Sequence, residues 1–277
     1  MPTTAEKRAA FRELHRSGTF VIPNPWDLGS ARYLQSLGFK ALASTSAGFA
    51  YSQARPDNCV SRDAVLAHLE ALASAADLPL NADFESGFAS NPEGVAESVR
   101  LCVEAGVSGL SIEDSTGDPA HPLFDLDVAV ARLSAARSAI DKAGGDVLLT
   151  ARAECFFAGV PDLDEAIKRL KAYANAGADC LYAPGIRSRE QIEAVVAAAG
   201  PLPINVLVGS ASEFSVADLA GFGVRRISVG GGLAMVAWDA FMTAATTLAE
   251  GSFDGMLHRR PATNLNELFR DKPPTSG

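Results

Sequence analysis

The sequence predicts a single α/β domain folded as a (β/α)8 TIM barrel. Three observations indicate this fold: eight short apolar segments, amphipathic stretches between them, and a length of 277 residues, enough for one such barrel. The apolar segments are nearly continuous, as expected for parallel strands buried on both faces. An open doubly wound sheet is the competing architecture, but no Gly-x-Gly-x-x-Gly follows the first segment, which disfavours its dinucleotide-binding form.

The eight predicted strands begin about 20 to 40 residues apart. In chain order they are residues 19–22, 40–45, 78–84, 109–114, 146–152, 180–184, 202–208 and 225–231. Apolar residues recur at three- and four-residue spacing between them, for example in 95–107 and 165–178, which predicts helices. Several of these stretches end in glycine, the usual C-terminal stop of a helix: Gly38, Gly106, Gly177 and Gly223.

The composition is that of an ordinary globular protein, with 48% hydrophobic and 21% charged residues. The formal net charge of -9 would repel a phosphate backbone, so nucleic acid is not expected as a partner. A small anionic ligand would need local cations or a metal ion. The sequence contains no run of about 18 consecutive apolar residues, and no membrane-spanning helix or membrane partner is therefore expected.

Four widely spaced cysteines form no Cys-x-x-Cys pair and have no neighbouring histidine pattern. A structural zinc site or a disulfide framework is therefore not expected, and reduced, mostly buried thiols are predicted. The first residues are polar and of mixed charge, without the apolar centre of a signal peptide. Together these features predict a cytoplasmic protein.

We expect one domain over residues 1–277, in which about 242–277 form a C-terminal helical extension. No internal linker or low-complexity stretch divides the chain. The tail from residue 257 onward is polar and contains prolines, so we expect it to pack on the surface or on a partner subunit.

Loops after the first two predicted strands carry candidate binding residues. Asp27 follows the first strand and either caps the next helix or contributes to a site. After the second strand come Thr45, Ser46 and Ala47, whose small side chains let backbone N–H groups approach an anionic ligand. A tight strand-to-helix turn is the alternative explanation for these small residues. Asp57 follows in the same loop.

Acidic residues end the third and fourth predicted strands. Asp83 and Glu85 are two positions apart, a spacing that directs both to the same side of a strand, and Glu113 ends the next strand. Arg152 ends the strand after that. Crowded carboxylates repel each other unless a cation lies between them, and oxygen ligands suit Mg²⁺ or Mn²⁺. The pattern predicts a shared metal site, although each carboxylate alone could be a solvated charge at the barrel rim.

In order along the chain, these motifs resemble the isocitrate lyase/phosphoenolpyruvate mutase superfamily between about residues 10 and 240. The resemblance rests on Pro-Asn-Pro-Trp-Asp, the small-residue loop ending in Pro-Asp, Asn-Ala-Asp-Phe-Glu, Ile-Glu-Asp-Ser, Thr-Ala-Arg, Ala-Gly-Ala-Asp and Pro-Leu-Pro-Ile-Asn-Val. It implies a phosphoenolpyruvate/pyruvate-type barrel that binds Mg²⁺ and 2-oxo acids or their enolates. It also implies a homotetramer, or at least a homo-oligomer, in which the last helix is exchanged between subunits.

The resemblance also assigns roles to individual positions. Asp83 would contact the metal directly, while Asp57, Glu85 and Glu113 would hold its water shell. Thr45, Ser46 and Ala47 would hold the 2-oxo acid carboxylate, and Arg152 would bind the enolate oxygen or a carboxylate of the ligand. Asn205 matches a position that touches a distal carboxylate in some members.

Departures from the family pattern leave the reaction open. The stretch after the fourth strand, residues 115–125, has neither the cysteine nor the lysines of the isocitrate and methylisocitrate lyases, and it lacks the asparagine and serine of the mutase. After the sixth strand, Pro184 or a neighbour stands where the lyases have glutamate and the mutase has histidine. Asp118 and His121 are then the titratable loop candidates for proton donation, and His121 is the predicted catalytic acid, unless it is merely a surface histidine. Residues 115–125 are also the best candidate for a lid.

The predicted function is a Mg²⁺-dependent lyase that cleaves a C–C bond of a small 2-oxo or 2-hydroxy acid. Oxaloacetate-like dicarboxylates are favoured, with decarboxylation, hydrolysis or retro-aldol cleavage as the reaction. Arg152 and Asp57 join His121 as catalytic candidates. The alternatives are a P–C bond enzyme of the mutase type, a 2-oxo acid binding protein with little catalysis, and a phosphate site on the glycines of residues 228–232.

Overall fold

A computed structural model describes residues 2–256 and 264–270 of the chain. It contains eight parallel strands in one sheet, in the order β1-β8-β7-β6-β5-β4-β3-β2. The strands are β1 (Phe20–Ile22), β2 (Leu42–Ala43), β3 (Leu80–Asp83), β4 (Gly109–Glu113), β5 (Leu148–Arg152), β6 (Cys180–Tyr182), β7 (Ile204–Leu207) and β8 (Arg226–Ser228). Each lies inside one of the eight segments expected from the sequence, so that prediction is confirmed.

Helices alternate with the strands and surround them. They are α1 (Thr4–Leu14), α2 (Leu28–Ser36), α3 (Ser46–Ser52), α4 (Arg62–Ala75), α5 (Pro92–Glu104), α6 (Leu126–Lys142), α7 (Leu163–Asn175), α8 (Arg189–Ala199), α9 (Val216–Gly221), α10 (Gly232–Ala249) and α11 (Leu265–Leu268). Strand-to-helix alternation around a nearly closed parallel sheet is the (β/α)8 architecture, and the predicted fold class is confirmed.

The ring of strands is closed between β1 and β2 by a backbone hydrogen bond rather than a paired ladder. The N–H of Ala43 donates to the carbonyl of Pro23 over 3.1 Å. The Asn24 side chain strengthens this seam, because its amide donates to Ser44 O at 2.8 Å and its oxygen accepts from the N–H groups of Val229 and Gly230. The loops after β1, β2 and β8 are thereby held together at the carboxyl end of the barrel.

Helix termini follow the signals in the sequence. Asp27 caps α2, since its carboxylate accepts from the N–H of Ser30 at 2.7 Å in a reciprocal capping box. Of the two explanations offered for Asp27, the structure therefore shows the helix cap. Gly106 and Gly177 adopt φ of 87° and 98°, a left-handed conformation that suits glycine after the last turn of a helix.

The amino end of the barrel is covered by α1 and the residue that follows it. Phe11 is fully buried, and His15 is buried between Phe11 and Phe20 with edge-to-face ring contacts. His15 also lies 3.5 Å from the guanidinium of Arg226, which projects into the barrel interior from β8. The side chains of Phe11 and His15 thus cover this end of the barrel.

The C-terminal part of the barrel contains a long and mostly exposed helix. This helix, α10, runs from Gly232 to Ala249, and Ala234 is its only buried residue. By length and composition α10 is the one helix in the described residues that could span a membrane, with a mean hydropathy of 1.2, although no such segment was expected. Beyond it, α11 packs near α2. The rest of the predicted tail, 257–263 and 271–277, lies outside the described residues.

All four cysteines are free thiols, as predicted. Cys102, Cys155 and Cys180 are buried, and Cys59 is exposed. Burial raises the pKa of the Cys155 thiol to about 11, because the uncharged form is favoured away from water. These thiols act as small apolar side chains in the packing of the barrel.

Candidate active site

A cavity of about 370 Å³ opens at the carboxyl ends of the strands, inside the ring that they form. All eight strands, or the loops that follow them, contribute residues to its lining. A (β/α)8 barrel carries its chemistry at this end. Most of the predicted site residues line the cavity: Thr45, Ser46, Ala47, Asp57, Asp83, Glu113, Arg152 and Asn205.

Asp83 occupies the centre of the acidic part of the cavity. It is the last residue of β3, and its backbone N–H donates to Ser44 Oγ over 2.8 Å. Its Oδ2 accepts a 3.0 Å hydrogen bond from the N–H of Ser46, and its Oδ1 accepts one from Arg152 Nη1, also at 3.0 Å. The carboxylate is thus held by hydrogen bonds from two neighbouring elements, α3 and β5.

Arg152 connects three carboxylates. Its Nη1 lies 3.0 Å from Asp83 and 3.2 Å from Glu113, and its Nε lies 2.5 Å from Glu154. Its guanidinium also faces the Tyr182 ring, 5.2 Å from the ring centroid. Although burial opposes the charge, these carboxylates raise the pKa of Arg152 well above its usual value, so the side chain stays cationic. Arg152 therefore neutralises the acidic cluster as well as being available to an anionic ligand.

The cluster would carry excess negative charge if all of its carboxylates were ionised. Burial, together with repulsion from Asp83 and Asp57, raises the pKa of Glu85 to about 8. Burial raises the pKa of Glu113 to about 8 despite the attraction of Arg152. Burial likewise raises the pKa of Asp57. One guanidinium is therefore insufficient to balance the carboxylates, and a further cation would stabilise their ionised forms.

Glu85 reaches the cluster by a different route from the one predicted. The two-residue spacing would direct it to the same side as Asp83 only if the strand continued, but β3 ends at Asp83. Phe84 is fully buried, and Glu85 takes a left-handed φ of 48°. Glu85 does not line the cavity, and its carbonyl accepts from the N–H of Glu113 at 3.0 Å. A turn after the strand therefore determines its position, and strand alternation does not.

The donor set fits a hard divalent cation bound mainly through water. Among the described residues, no group of three or more His, Cys, Asp or Glu side chains is close enough to hold a metal ion directly. Asp57, Asp83 and Glu113 line the same cavity, and Glu85 interacts electrostatically with Asp57 and Asp83, so these carboxylates could hold a metal ion directly or through its waters. Mg²⁺ commonly keeps several waters and takes one or two carboxylates from the protein. The excess negative charge is consistent with this kind of site.

The small-residue loop forms the first turn of α3. Thr45 caps this helix, with its Oγ1 accepting from the N–H of Gly48 at 3.3 Å. Gly48 has no room for a side chain, since a Cβ there would lie 2.7 Å from Thr45 and 2.9 Å from Trp26. The loop is therefore a tight strand-to-helix turn, and it also presents Ser46 and Ala47 to the cavity.

Asn205 is fully buried in the cavity floor and is committed to two neighbours. Its Oδ1 accepts from Arg226 Nε at 2.8 Å, and its Nδ2 donates to Ser228 Oγ at 2.9 Å. Arg226 also donates to Asn81 Oδ1 at 3.3 Å. Asn205 thus belongs to a polar network inside the barrel, and one amide hydrogen remains for a ligand.

His121, the predicted catalytic acid, is not brought to the cavity. It lies in the segment after β4, where Ser115 bridges to Leu123 and Thr116 N–H donates to Pro122 O at 3.1 Å. Its side chain is 85% exposed, and among the residues that the structure describes its ion-pair partner is Asp118, at 3.5 Å. In this arrangement His121 is a surface histidine, and a role in the reaction would require the segment to move.

The glycines after β8 are required for close packing. A Cβ at Gly232 would lie 2.7 Å from Gly209 O, and Gly230 has a left-handed φ of 52°. The N–H groups of Val229 and Gly230 already donate to Asn24. These contacts favour the packing explanation of residues 228–232 over a phosphate cradle.

Asp114 does not line the cavity, and its carboxylate bonds to residues behind the cavity wall. Its Oδ1 accepts from the N–H of Glu154 at 2.7 Å. Its Oδ2 accepts from Arg169 at 3.1 Å and from the Tyr173 hydroxyl at 2.5 Å. Asp114 therefore anchors the start of the loop after β5, including the carboxylate that pairs with Arg152.

Two cavity residues that were not found from the sequence are Tyr182 and Arg226. Tyr182 ends β6, the strand after which no acid or base was recognised. Arg226 begins β8 inside the predicted eighth strand. A polar residue within a short apolar run was the available signal, because such a side chain must face a polar partner or the barrel interior.

The chain belongs to the family described as phosphoenolpyruvate phosphomutase, whose model matches residues 11–249. The recognition of the isocitrate lyase/phosphoenolpyruvate mutase superfamily from the sequence is therefore confirmed. The assignment to an enzyme superfamily that includes carbon–carbon lyases is confirmed with it.

Similar proteins include several enzymes of small acids. A solved lyase/mutase of inferred function from Burkholderia cenocepacia J2315 is 46% identical, with a TM-score of 0.92 and 97% of each chain covered. An oxaloacetate decarboxylase from Paraburkholderia xenovorans strain LB400 is 29% identical over 95% of this chain and 84% of its own length. A phosphonopyruvate hydrolase solved with oxalate and Mg²⁺ is 26% identical, with a TM-score of 0.83, covering 95% of this chain and 94% of the other.

Proposed function

We propose that this protein is a Mg²⁺-dependent lyase that cleaves a C–C bond next to the oxo group of a small 2-oxo acid. The observation that carries this proposal is the convergence on Asp83 of the Ser46 N–H and the Arg152 guanidinium. The proposed metal ligand, a backbone N–H donor and a fixed cation therefore lie together. Binding of a 2-oxo acid and stabilisation of its enolate call for groups of these kinds. Mn²⁺ would serve the same donors.

Mg²⁺ bound at Asp83 would act as a Lewis acid that stabilises the enolate left by bond cleavage. Asp57, Glu85 and Glu113 would orient the waters around it. Arg152 places a fixed positive charge beside the developing enolate oxygen or a substrate carboxylate. Its pairing with Glu113 and Glu154 keeps the guanidinium in place before substrate arrives.

The segment Thr45 to Ala47 would bind the substrate carboxylate. Backbone N–H groups at the first turn of a helix are suited to an anion, and the small side chains let it approach. The Thr45 hydroxyl already caps α3 and the Ser46 N–H is bonded to Asp83, so we assign the contacts chiefly to the N–H of Ala47. Asn205 can offer its remaining amide hydrogen to a distal group of the substrate.

Oxaloacetate-like dicarboxylates are the favoured substrates. The similarity to an oxaloacetate decarboxylase over 95% of this chain supports C–C cleavage. The second candidate is P–C bond cleavage, which the similarity to a phosphonopyruvate hydrolase favours. Both reactions leave an enolate of a 2-oxo acid, so the same cavity residues would serve either. A 2-oxo acid binding protein with little catalysis is the remaining alternative.

A turnover assay with Mg²⁺ tests the proposal. Purified protein would be given 2-oxo acids of three to six carbons and phosphonopyruvate, with CO₂, aldehyde and phosphate release measured separately. Release of carbon products identifies a C–C lyase, while phosphate release assigns the P–C alternative. Tight binding of oxalate with no turnover of any compound would identify a binding protein and reject the lyase assignment.

We also propose a cytoplasmic homo-oligomer in which α10 packs against a second copy of the chain. The apolar side chains of α10 face solvent in the single chain, with Val236 69% exposed and Phe241 61% exposed. An apolar surface on this scale is typical of a subunit interface. Exchange of α10 between subunits, giving a dimer or tetramer, would cover it.

A further inference from the structure

The cavity holds one phenol, at the end of β6. Tyr182 lines the cavity and is 8% exposed, and its ring packs against the Arg152 guanidinium. Burial raises the pKa of the Tyr182 hydroxyl above its usual value, so it keeps its proton at neutral pH. Tyr182 therefore presents a protonated hydroxyl to the space beside the cation that we assign to the enolate.

A chain of hydrogen bonds leads from a buried arginine to Ser228, which lines the cavity together with Tyr182. Arg226 has only donors, so the Asn205 oxygen must face it and the Asn205 amide group must face Ser228. Ser228 Oγ accepts from Asn205, which leaves its own proton to be donated, and Ser228 interacts with Tyr182. A Ser228 hydroxyl that donates to the Tyr182 oxygen would leave the phenolic proton for a ligand.

Arg226 supplies a positive charge to this chain that no described carboxylate neutralises. Its side-chain partners within the described residues are Asn81, Asn205 and His15, and it is 3% exposed. Burial and Arg226 together lower the pKa of His15 to about 3, so His15 is neutral. A buried cation with neutral partners polarises the groups that accept from it, and this strengthens each donor along the chain.

Other proton donors are absent or already committed. No histidine or cysteine lines the cavity in the described part of the chain. Glu113 and Glu154 are paired with Arg152, while Asp83 and Asp57 belong to the metal site of the proposed function. The serine hydroxyls of the lining are weaker acids than a phenol.

We propose that Tyr182 is the catalytic acid that protonates the carbon of the enolate, and that Arg226, Asn205 and Ser228 position its hydroxyl. This inference rests on the proposed function. After the carboxyl group leaves as CO₂, or the phosphoryl group passes to a water molecule, the electron pair of the broken bond remains in the enolate. The Tyr182 O–H bond then breaks as a new C–H bond forms at that carbon. The resulting phenolate takes a proton from water, so the 2-oxo acid product gains one solvent proton overall.

The test separates bond cleavage from proton transfer. With oxaloacetate or phosphonopyruvate as the probe, CO₂ or phosphate release is followed beside the appearance of ketonic pyruvate. Wild-type protein should yield both together. Tyr182→Phe should lower turnover by about 10²–10⁴-fold, the usual contribution of a general acid. Its ketonic pyruvate should lag behind cleavage, because free enolpyruvate must be protonated in solution.

Further variants distinguish positioning from folding. Ser228→Ala should show a smaller loss with the same lag, and Ser228→Thr should restore the wild-type pattern. Both should bind oxalate with Mg²⁺ as wild type does. Tyr33→Phe, on α2 outside the cavity, is the matched control and should change nothing. Cleavage and ketonic product that remain synchronous in Tyr182→Phe would overturn the proposal.

Failure of the proposed function gives a different result from failure of this inference. If wild-type protein cleaves neither probe, the lyase assignment fails. Exchange of the pyruvate methyl hydrogens in D₂O with Mg²⁺ then tests Tyr182 directly. Exchange in the wild type that is lost in Tyr182→Phe supports the inference. Equal exchange in both proteins, or none in the wild type, refutes it.

Discussion

The backbone N–H of Ser46 donates a 3.0 Å hydrogen bond to Asp83 Oδ2, joining the first turn of α3 to the end of β3. The residue that we assign to the metal and the loop that we assign to the substrate carboxylate are therefore in direct contact. A substitution at Asp83 is therefore expected to affect substrate binding as well as metal binding, and a substitution in the Ser46 loop is expected to affect both as well. Variants must be compared by separate titrations of metal and ligand.

Asp83→Asn should weaken Mg²⁺ binding first and 2-oxo acid binding as a consequence. The amide removes the negative charge of the proposed direct ligand, and we expect at least about a tenfold loss of metal affinity. Calorimetric titration with Mg²⁺ and then with oxalate measures both. EDTA should abolish wild-type activity, and Asp118→Asn in the exposed segment should bind Mg²⁺ normally. Full activity in EDTA would reject the metal site.

Arg152→Lys should weaken 2-oxo acid binding by about 1.5–3 kcal/mol, the range for hydrogen bonds to charged groups. A lysine cannot reproduce the planar fork that contacts both Asp83 and Glu154. Metal affinity should stay nearly intact. Calorimetry with oxalate at saturating Mg²⁺ gives the comparison, with the exposed Arg189→Lys as the matched control. Wild-type oxalate affinity in Arg152→Lys would mean that Arg152 only neutralises the carboxylates.

The protein should not be an efficient isocitrate or methylisocitrate lyase. No cysteine follows β4, no glutamate follows β6, and the described lining contains no thiol to act as their acid. Loss of general acid catalysis costs about 10²–10⁴-fold. Glyoxylate or pyruvate formation from each tricarboxylate is the assay, with oxalate binding as evidence of folded protein. Turnover at ordinary rates of about 1–10³ s⁻¹ would contradict the prediction.

His15 should make the protein less stable in mild acid. Burial lowers its pKa from 6.5 to about 3, so below pH 6.5 the unfolded chain binds a proton that the folded chain does not. The free energy of unfolding should therefore fall by about 2 kcal/mol from this group between pH 7.5 and pH 5. His15→Gln keeps a donor for Phe11 O and an acceptor for Arg226 and should lose this contribution.

The measurement is denaturant unfolding of both proteins in EDTA at the two pH values. Glu85 and Glu113 have raised pKa values and act in the opposite direction, since protonation there favours the folded state. The difference between wild type and variant removes their effect. His121→Gln, at the exposed histidine, should retain the wild-type pH dependence. An identical pH dependence in His15→Gln would show that His15 is not the source.

Charged substitutions on α10 should dissociate the oligomer. Val236→Glu and Phe241→Glu each place a carboxylate on the exposed apolar face, where desolvation at a subunit interface would be unfavourable. Sedimentation velocity should show a shift towards monomer, while Val216→Glu on α9 leaves the assembly unchanged. A wild-type protein that sediments as a monomer would reject the proposed interface.

The sequence by itself determined the barrel and the acidic character of its mouth. Parallel strands buried on both faces require continuous apolar runs, and a barrel gathers the residues at their carboxyl ends. Asp83, Glu113 and Arg152 could therefore be located by their positions at the ends of β3, β4 and β5. The capping roles of Asp27 and of the helix-ending glycines could be predicted because capping depends on a few residues that are neighbours in the sequence.

Only the tertiary structure decided which polar groups enter the cavity. The position of Glu85 depends on a left-handed turn after β3. The position of His121 depends on hydrogen bonds within an exposed segment, which hold this residue outside the cavity. The alignment of Arg226, Asn205, Ser228 and Tyr182 arises from the relative register of β6, β7 and β8. Residues far apart in sequence become neighbours there because strand pairing fixes their heights in the barrel, and no local sequence pattern encodes that register.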